Sequence, residues 1–110
     1  MKLRDFFGAT LLVLASTGAV VAAPVSVVDR PALMSAKASR SLLTDIAYAG
    51  KRLVAVGERG HILYSDDSGK SWIQAKVPVS AMLTGLSFAN ANEGWAVGHS
   101  GVILFSSDGG

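Results

Sequence analysis

The sequence has 110 residues, is 50% hydrophobic and 16% charged, and carries a formal net charge of +2, which limits it to one small domain once any export segment is set aside. Its basic residues are scattered, without the dense stripe and interleaved aromatics of a phosphate-backbone binder, which excludes a nucleic-acid ligand. Cysteine is absent, so disulfides, thiolate metal sites, a cysteine nucleophile and a lipid-modified N-terminal cysteine are excluded, and stability has to come from packing.

At the N-terminus Lys2 and Arg4 precede Phe6, Phe7 and a run of apolar and small residues that reaches Ala23. A short basic region, an apolar core and small side chains at Val20 and Ala22 follow the logic of a secretory signal. Cleavage is expected after Ala22, because Pro24 disfavours cutting one bond later. An uncleaved anchor would use the same apolar run, but Thr10, Ser16, Thr17 and Pro24 weigh against it. The expectation is a signal peptide over 1–22 and an exported protein, periplasmic or secreted, with no membrane span after cleavage. Beyond residue 22, eight basic and seven acidic residues leave +1, which implies no strong electrostatic partner. Residues 23–42 show no sustained period and read as a lead-in segment, part of which can become an edge strand.

From residue 43 onward the chain repeats itself. Leu43-Thr-Asp-Ile-Ala-Tyr-Ala echoes Leu83-Thr-Gly-Leu-Ser-Phe-Ala at an offset of 40, and Ile62-Leu-Tyr-Ser65 echoes Ile103-Leu-Phe-Ser106 at an offset of 41, with one residue inserted near Asn90 to Gly94. Short runs rich in Val, Ile and aromatics, broken by Gly and recurring at this spacing, predict four-stranded antiparallel blades of a β-propeller rather than helical repeats. Strands are predicted at about 44–49, 52–57, 61–65 and 72–77, with glycine-assisted turns at Gly50-Lys51 and Glu58-Arg59-Gly60. Blade 1 is expected over about 43–79 and blade 2 over about 83–110. Leu53 to Val56 and Val102 to Phe105 are apolar at consecutive positions, which suits strands buried on both faces.

The stretch from Ser65 to Trp72 fits S-x-D-x-G-x-[ST]-W at every defined position and falls on the third hairpin of blade 1. This is the pattern of an Asp-box: Ser65, Asp67, Gly69 and Ser71 can close the turn through local hydrogen bonds, and Trp72 can anchor it by burying its ring. A second copy begins at Ser106, Asp108 and Gly110, and the sequence ends inside it, so the expectation is fewer than two complete blades of a longer, truncated or partial chain. Two such units at blade spacing resemble the BNR/Asp-box repeat proteins, and more narrowly the photosystem II stability and assembly factor family, over residues 43–110. The resemblance implies a propeller, commonly of seven blades, acting in assembly of a membrane complex on the exported side.

Chemical candidates are few. Asp66 and Asp67 are adjacent, so they face different sides, and Asp67 is claimed by the turn, which leaves no acid/base pair. His61 and His99 do not align in the repeat and read as turn or surface imidazoles. Glu58, Arg59 and His99 lie in turns that can line a binding face. No catalytic, metal or cofactor-binding residue is assigned, and the partner expected is a protein, such as a membrane complex. The enzymatic alternative is a secreted sialidase-like glycosidase, which needs clustered arginines and a tyrosine with its glutamate. Tyr48 and Tyr64 have no such glutamate beside them in sequence. A structural repeat without a dedicated ligand is the third possibility.

Overall fold

The computed structural model describes residues 1–3 and 26–110. Most of the segment expected to be an export signal therefore lies outside the described residues. The strands are β1 (Lys2–Leu3), β2 (Leu43–Ala49), β3 (Arg52–Gly57), β4 (Ile62–Ser65), β5 (Ile73–Gln74), β6 (Leu83–Phe88), β7 (Gly94–Gly98) and β8 (Ile103–Ser106). They form two antiparallel sheets, ordered β2-β3-β4-β5 and β1-β8-β7-β6. The fold is all-β, an unclosed portion of a β-propeller. The outer edge of the second sheet is taken by β1, with Lys2 opposite Phe105 and Leu3 opposite Leu104.

β-Branched and aromatic residues in short runs favour the pleated conformation, and the turns between them set the register. In the first sheet Ile46, Ala55 and Leu63 lie side by side across β2, β3 and β4, and in the second Leu86, Ala96 and Leu104 do the same across β6, β7 and β8. The edge strands β2 and β6 are irregular at the same point: the register shifts between Leu43 and Asp45 and again between Leu83 and Gly85. Each shift is a β-bulge centred on a threonine, an extra residue that bends the strand. The Thr44 hydroxyl lies 3.1 Å from the Val56 carbonyl and 2.6 Å from the Leu83 carbonyl, and Thr84 repeats the first of these contacts with Val97 at 3.5 Å.

The core lies between the sheets. Val54, Val56 and Ile62 of the first sheet and Leu83, Ala96 and Leu104 of the second are all fully buried in one cluster, with Leu86 and Phe88 packed against it. Burying an aliphatic side chain of this size contributes about 1.5–3 kcal/mol, so this seam is the main source of cohesion. Gly110 sits in it: a methyl group placed there would lie 3.4 Å from Val54 and 3.9 Å from the Phe88 ring. Polar groups register the seam. Asp45 Oδ2 accepts from the Leu86 amide at 2.9 Å, beside the Thr44 contact to Leu83.

The lead-in segment does not add a strand to the first sheet but braces its outer side. The Ala32 amide donates to the Val77 carbonyl, Gln74 Nε2 donates to the Leu33 carbonyl while its Oε1 accepts from Ser35, and the Ser80 amide donates to Val27. These bonds explain why β5 is only two residues long where a strand over 72–77 was predicted. After the Ala75 amide reaches the Ile62 carbonyl, the chain turns to meet the lead-in instead of the sheet.

Candidate functional site

The ends of the sheets carry the distinctive residues. Because the strands alternate in direction, the β2–β3 and β4–β5 turns lie at one end of the blade, and the β3–β4 turn lies at the other with the linker to β6.

At the first end Ser65, buried at the close of β4, donates its hydroxyl proton to Asp67 Oδ1 at 2.7 Å. The Ser65 hydroxyl oxygen accepts from the Gly69 amide at 2.8 Å. Asp67 in turn accepts from the Ser71 amide at 2.8 Å and from the Ser71 hydroxyl. Ser68 and Gly69 take positive φ of 63° and 87°, which lets the chain reverse inside this ring of bonds. The Asp67 carboxylate is thus turned back onto its own loop. The Ser71 hydroxyl, helped by the Ser71 amide and the Ser65 hydroxyl, holds its pKa down at about 2. In the second blade Ser106, Asp108 and Gly110 repeat the contacts at the same 2.7 and 2.8 Å, and the Ser106 hydroxyl lowers the Asp108 pKa.

The adjacent carboxylate parts company with Asp67. Asp66 receives two bonds from the Arg52 guanidinium, at 2.7 and 3.1 Å, and that guanidinium also lies 4.3 Å from the centre of the Tyr64 ring. Neither aspartate is left to act as an acid or base. Trp72 corrects the expectation of a buried anchor: its ring is only half-buried, since it stands on the sheet face turned away from the second blade, beside Leu43 and Ile46.

A pH dependence follows. A carboxyl whose folded pKa is about 2 and whose ordinary value is 3.8 stabilises the fold fully above about pH 4, and that stabilisation is lost as pH falls towards 2. Asp67→Asn is therefore expected to be less stable than the parent at neutral pH and to show a flatter acid limb between pH 4 and 2. Denaturant melts monitored by circular dichroism across that window would check this, and parallel curves would refute it.

At the other end, the turn Glu58–Gly60 joins β3 to β4 within one blade, as its place between the predicted strands 52–57 and 61–65 implied. Arg59 adopts φ of 56°, as does Ser100 at 61° in the matching turn His99–Gly101. This left-handed residue projects from the turn. Arg59 lines a groove of about 470 Å³ with Arg30, Pro31, Leu33 and Ser80. Arg30 Nε lies 3.3 Å from the Ser80 hydroxyl, and Leu33 is 74% exposed. The groove thus sets two guanidinium groups beside an apolar wall. Glu58 is occupied elsewhere, accepting from the Leu42 amide at 3.2 Å, and His99 is exposed but is not among the groove residues. Sequence reasoning found Arg59 and missed Arg30, Pro31, Leu33 and Ser80, because their grouping depends on how the lead-in docks along β5.

His61 also departs from expectation. It is buried, not a surface imidazole, with Nδ1 3.0 Å from the Ser41 hydroxyl. That hydroxyl gives its own proton to the Ala38 carbonyl at 2.6 Å, so Nδ1–H is the donor to Ser41. The histidine ties the lead-in to the blade.

Two stacked antiparallel sheets, each closed by a serine–aspartate turn at the same place, define the chain as a β-propeller protein of the BNR-repeat class. It matches the family model of the photosynthesis system II assembly factor YCF48 over residues 21–106, and it belongs to that family. It is similar to the uncharacterized protein YkuO of Bacillus subtilis (strain 168), with 30% identity over 69 residues, which cover 63% of this chain and 23% of that protein. The chain thus spans less than a quarter of the length of that curated relative. No solved structure matches it.

Proposed function

We propose that this chain is part of an exported, non-enzymatic β-propeller that binds a protein partner and assists the assembly or stability of a membrane complex from the exported side. The observation that carries this reading is membership, over residues 21–106, of a family described as assembly factors. The arginine groove supplies a place for such contact: Arg30 and Arg59 suit a carboxylate, and Pro31 and Leu33 suit an apolar side chain next to it. The partner segment is therefore acidic and partly apolar. Export rests on the basic and apolar residues at the N-terminus, with cleavage after Ala22. The glycosidase alternative draws no support here, since the Tyr64 ring is engaged by Arg52 and Tyr48 stands on an open sheet face.

Affinity capture from solubilised envelope tests the proposal. The parent chain is expected to recover subunits of one membrane complex, and Arg59→Glu to reduce that recovery by about tenfold, or 1.4 kcal/mol. Lys70→Glu, at the opposite end of the blade, is expected to leave it unchanged. Recovery that is absent, or equal for the parent and Arg59→Glu, would overturn the assignment of the groove. The export half is checked separately by the mass of the chain in the periplasmic or secreted fraction, which is expected to begin at Ala23.

A further inference from the structure

The segment from Arg30 to Thr44 is built the wrong way round for a solvated surface. It is a strap across the outer edge of the first sheet, held by the Ala32–Val77 bond, the Gln74 side chain and the contact of Ser41 with His61. Its two buried residues are alanines, Ala32 and Ala38, while Leu33 and Met34 stand outward at 74% and 52% exposure. Folding ordinarily buries the large apolar side chains and leaves polar ones outside. Charge is sorted in the same place. The strap holds Arg30, Lys37 and Arg40 and no acidic residue, so it takes +3 of the charge beyond residue 22, and the five basic and seven acidic residues left over amount to −2. Among the described residues neither Lys37 nor Arg40 has a carboxylate partner. The seam between the blades joins unlike faces, Val54, Val56 and Ile62 of the first sheet against Leu86 and Leu104 of the second, and the strap lies on neither of them. Its exposure is that of a sheet edge, which the stacking of blades leaves open.

We propose that this strap docks the protein on the surface of a bilayer that contains anionic phospholipid, without spanning it. Leu33 and Met34 enter the boundary between headgroups and acyl chains, and Lys37 and Arg40 meet lipid phosphates while their methylene stems lie along apolar surface. A fluid bilayer needs no shape match. It accepts apolar side chains that stand out from a surface wherever cations stand beside them, and the strap supplies that combination. The remainder of the protein, at −2, is repelled by the same surface, which fixes the orientation with the strap towards the lipid. Hydrogen bonds already hold the strap on the blade, so docking requires little further ordering. Lys37 and Arg40 are not among the residues of the arginine groove, so the two contacts answer to different substitutions.

Flotation of the exported chain with vesicles tests this, its mass showing whether residues 1–22 are still attached. The vesicles are phosphatidylcholine alone, or phosphatidylcholine mixed with phosphatidylglycerol at about three to one. The parent is expected to float with the mixed vesicles, less so as salt is added, and to stay behind with the neutral ones. Lys37→Glu and Arg40→Glu are each expected to weaken binding about 25-fold, since a reversal removes two charge steps of about fivefold each. Leu33→Ser combined with Met34→Ser is expected to weaken it about tenfold. Lys37→Arg is expected to bind like the parent, and so is Lys70→Glu, which makes the same change of net charge at the opposite end of the blade. All these positions are exposed, so the circular dichroism spectrum is expected to stay that of the parent. Absence of binding, equal binding to both kinds of vesicle, or equal losses for Lys37→Glu and Lys70→Glu would each overturn the proposal. So would full binding by the serine pair, which would describe a purely charged contact of the kind an acidic protein makes.

Discussion

Leu104→Ala is expected to cost about 2–5 kcal/mol, the range for emptying a fully buried leucine site. Leu104, on β8, is 0% exposed, lies opposite Ala96 of β7 and belongs to the cluster that joins the sheets. Small domains have a total stability of about 5–15 kcal/mol, so the loss should appear as a large drop in urea midpoint. Its repeat counterpart provides the comparison. Leu63 is equally shielded, at 2% exposure, but lies on the face of the first sheet turned away from the second, and it is absent from the shared cluster. Neighbours and solvent can close over that site more easily, so Leu63→Ala is expected to cost clearly less. Equal losses for the two variants would mean that the seam between the blades is not the principal core.

A second pair of substitutions separates backbone strain from crowding. Gly60 and Gly101 occupy the same position in matching turns, with φ of 72° and 71°. Alanine in this left-handed conformation costs about 1–2 kcal/mol at either site. The surroundings differ sharply. A Cβ on Gly60 would fall 2.1 Å from the Val79 carbonyl oxygen, a backbone atom held in the linker between blades, whereas nothing lies within 4 Å of a Cβ on Gly101. Gly101→Ala is therefore expected to show the strain cost alone, and Gly60→Ala to add a further 1–3 kcal/mol of overpacking, on the order seen for crowded cores. Thermal melts of the two variants side by side would read the difference directly. If both lost the same amount, the Val79 carbonyl would have to be free to move, and the linker would be looser than its contacts imply.

Much of the architecture was legible from residue types. The 40–41-residue echo, the apolar runs of β3 and β8, and the Gly-rich turns carry the antiparallel sheets because period-two burial and positive-φ positions leave direct marks in a sequence. The serine–aspartate turn was legible for the same reason: all its bonds run between residues two to four positions apart. What escaped notice depends on contacts distant in sequence. The bulges at Thr44 and Thr84 occur in runs that look like unbroken alternation, and the nearer of the two carbonyls that the Thr44 hydroxyl meets, that of Leu83, belongs to the second sheet. The shortness of β5 follows from competition by residues 32–35, more than forty positions away for Val77. The burial of His61 depends on Ser41 and Ala38, neither of which signals a partner for an imidazole. The same holds for the groove, in which Arg30 and Arg59 meet only after the lead-in has folded back.

The unlike faces of a blade also govern how such a protein can lengthen or shorten. Since the leading side of every unit fits the trailing side of its predecessor, adding or deleting one whole module of about 40 residues preserves every joint, and the only quantity that changes is the curvature needed to close the ring. Loss of half a module would instead oppose two sides of the same kind. Gene-level change in this lineage is thus expected to proceed in whole units, and relatives should differ in length by multiples of that step.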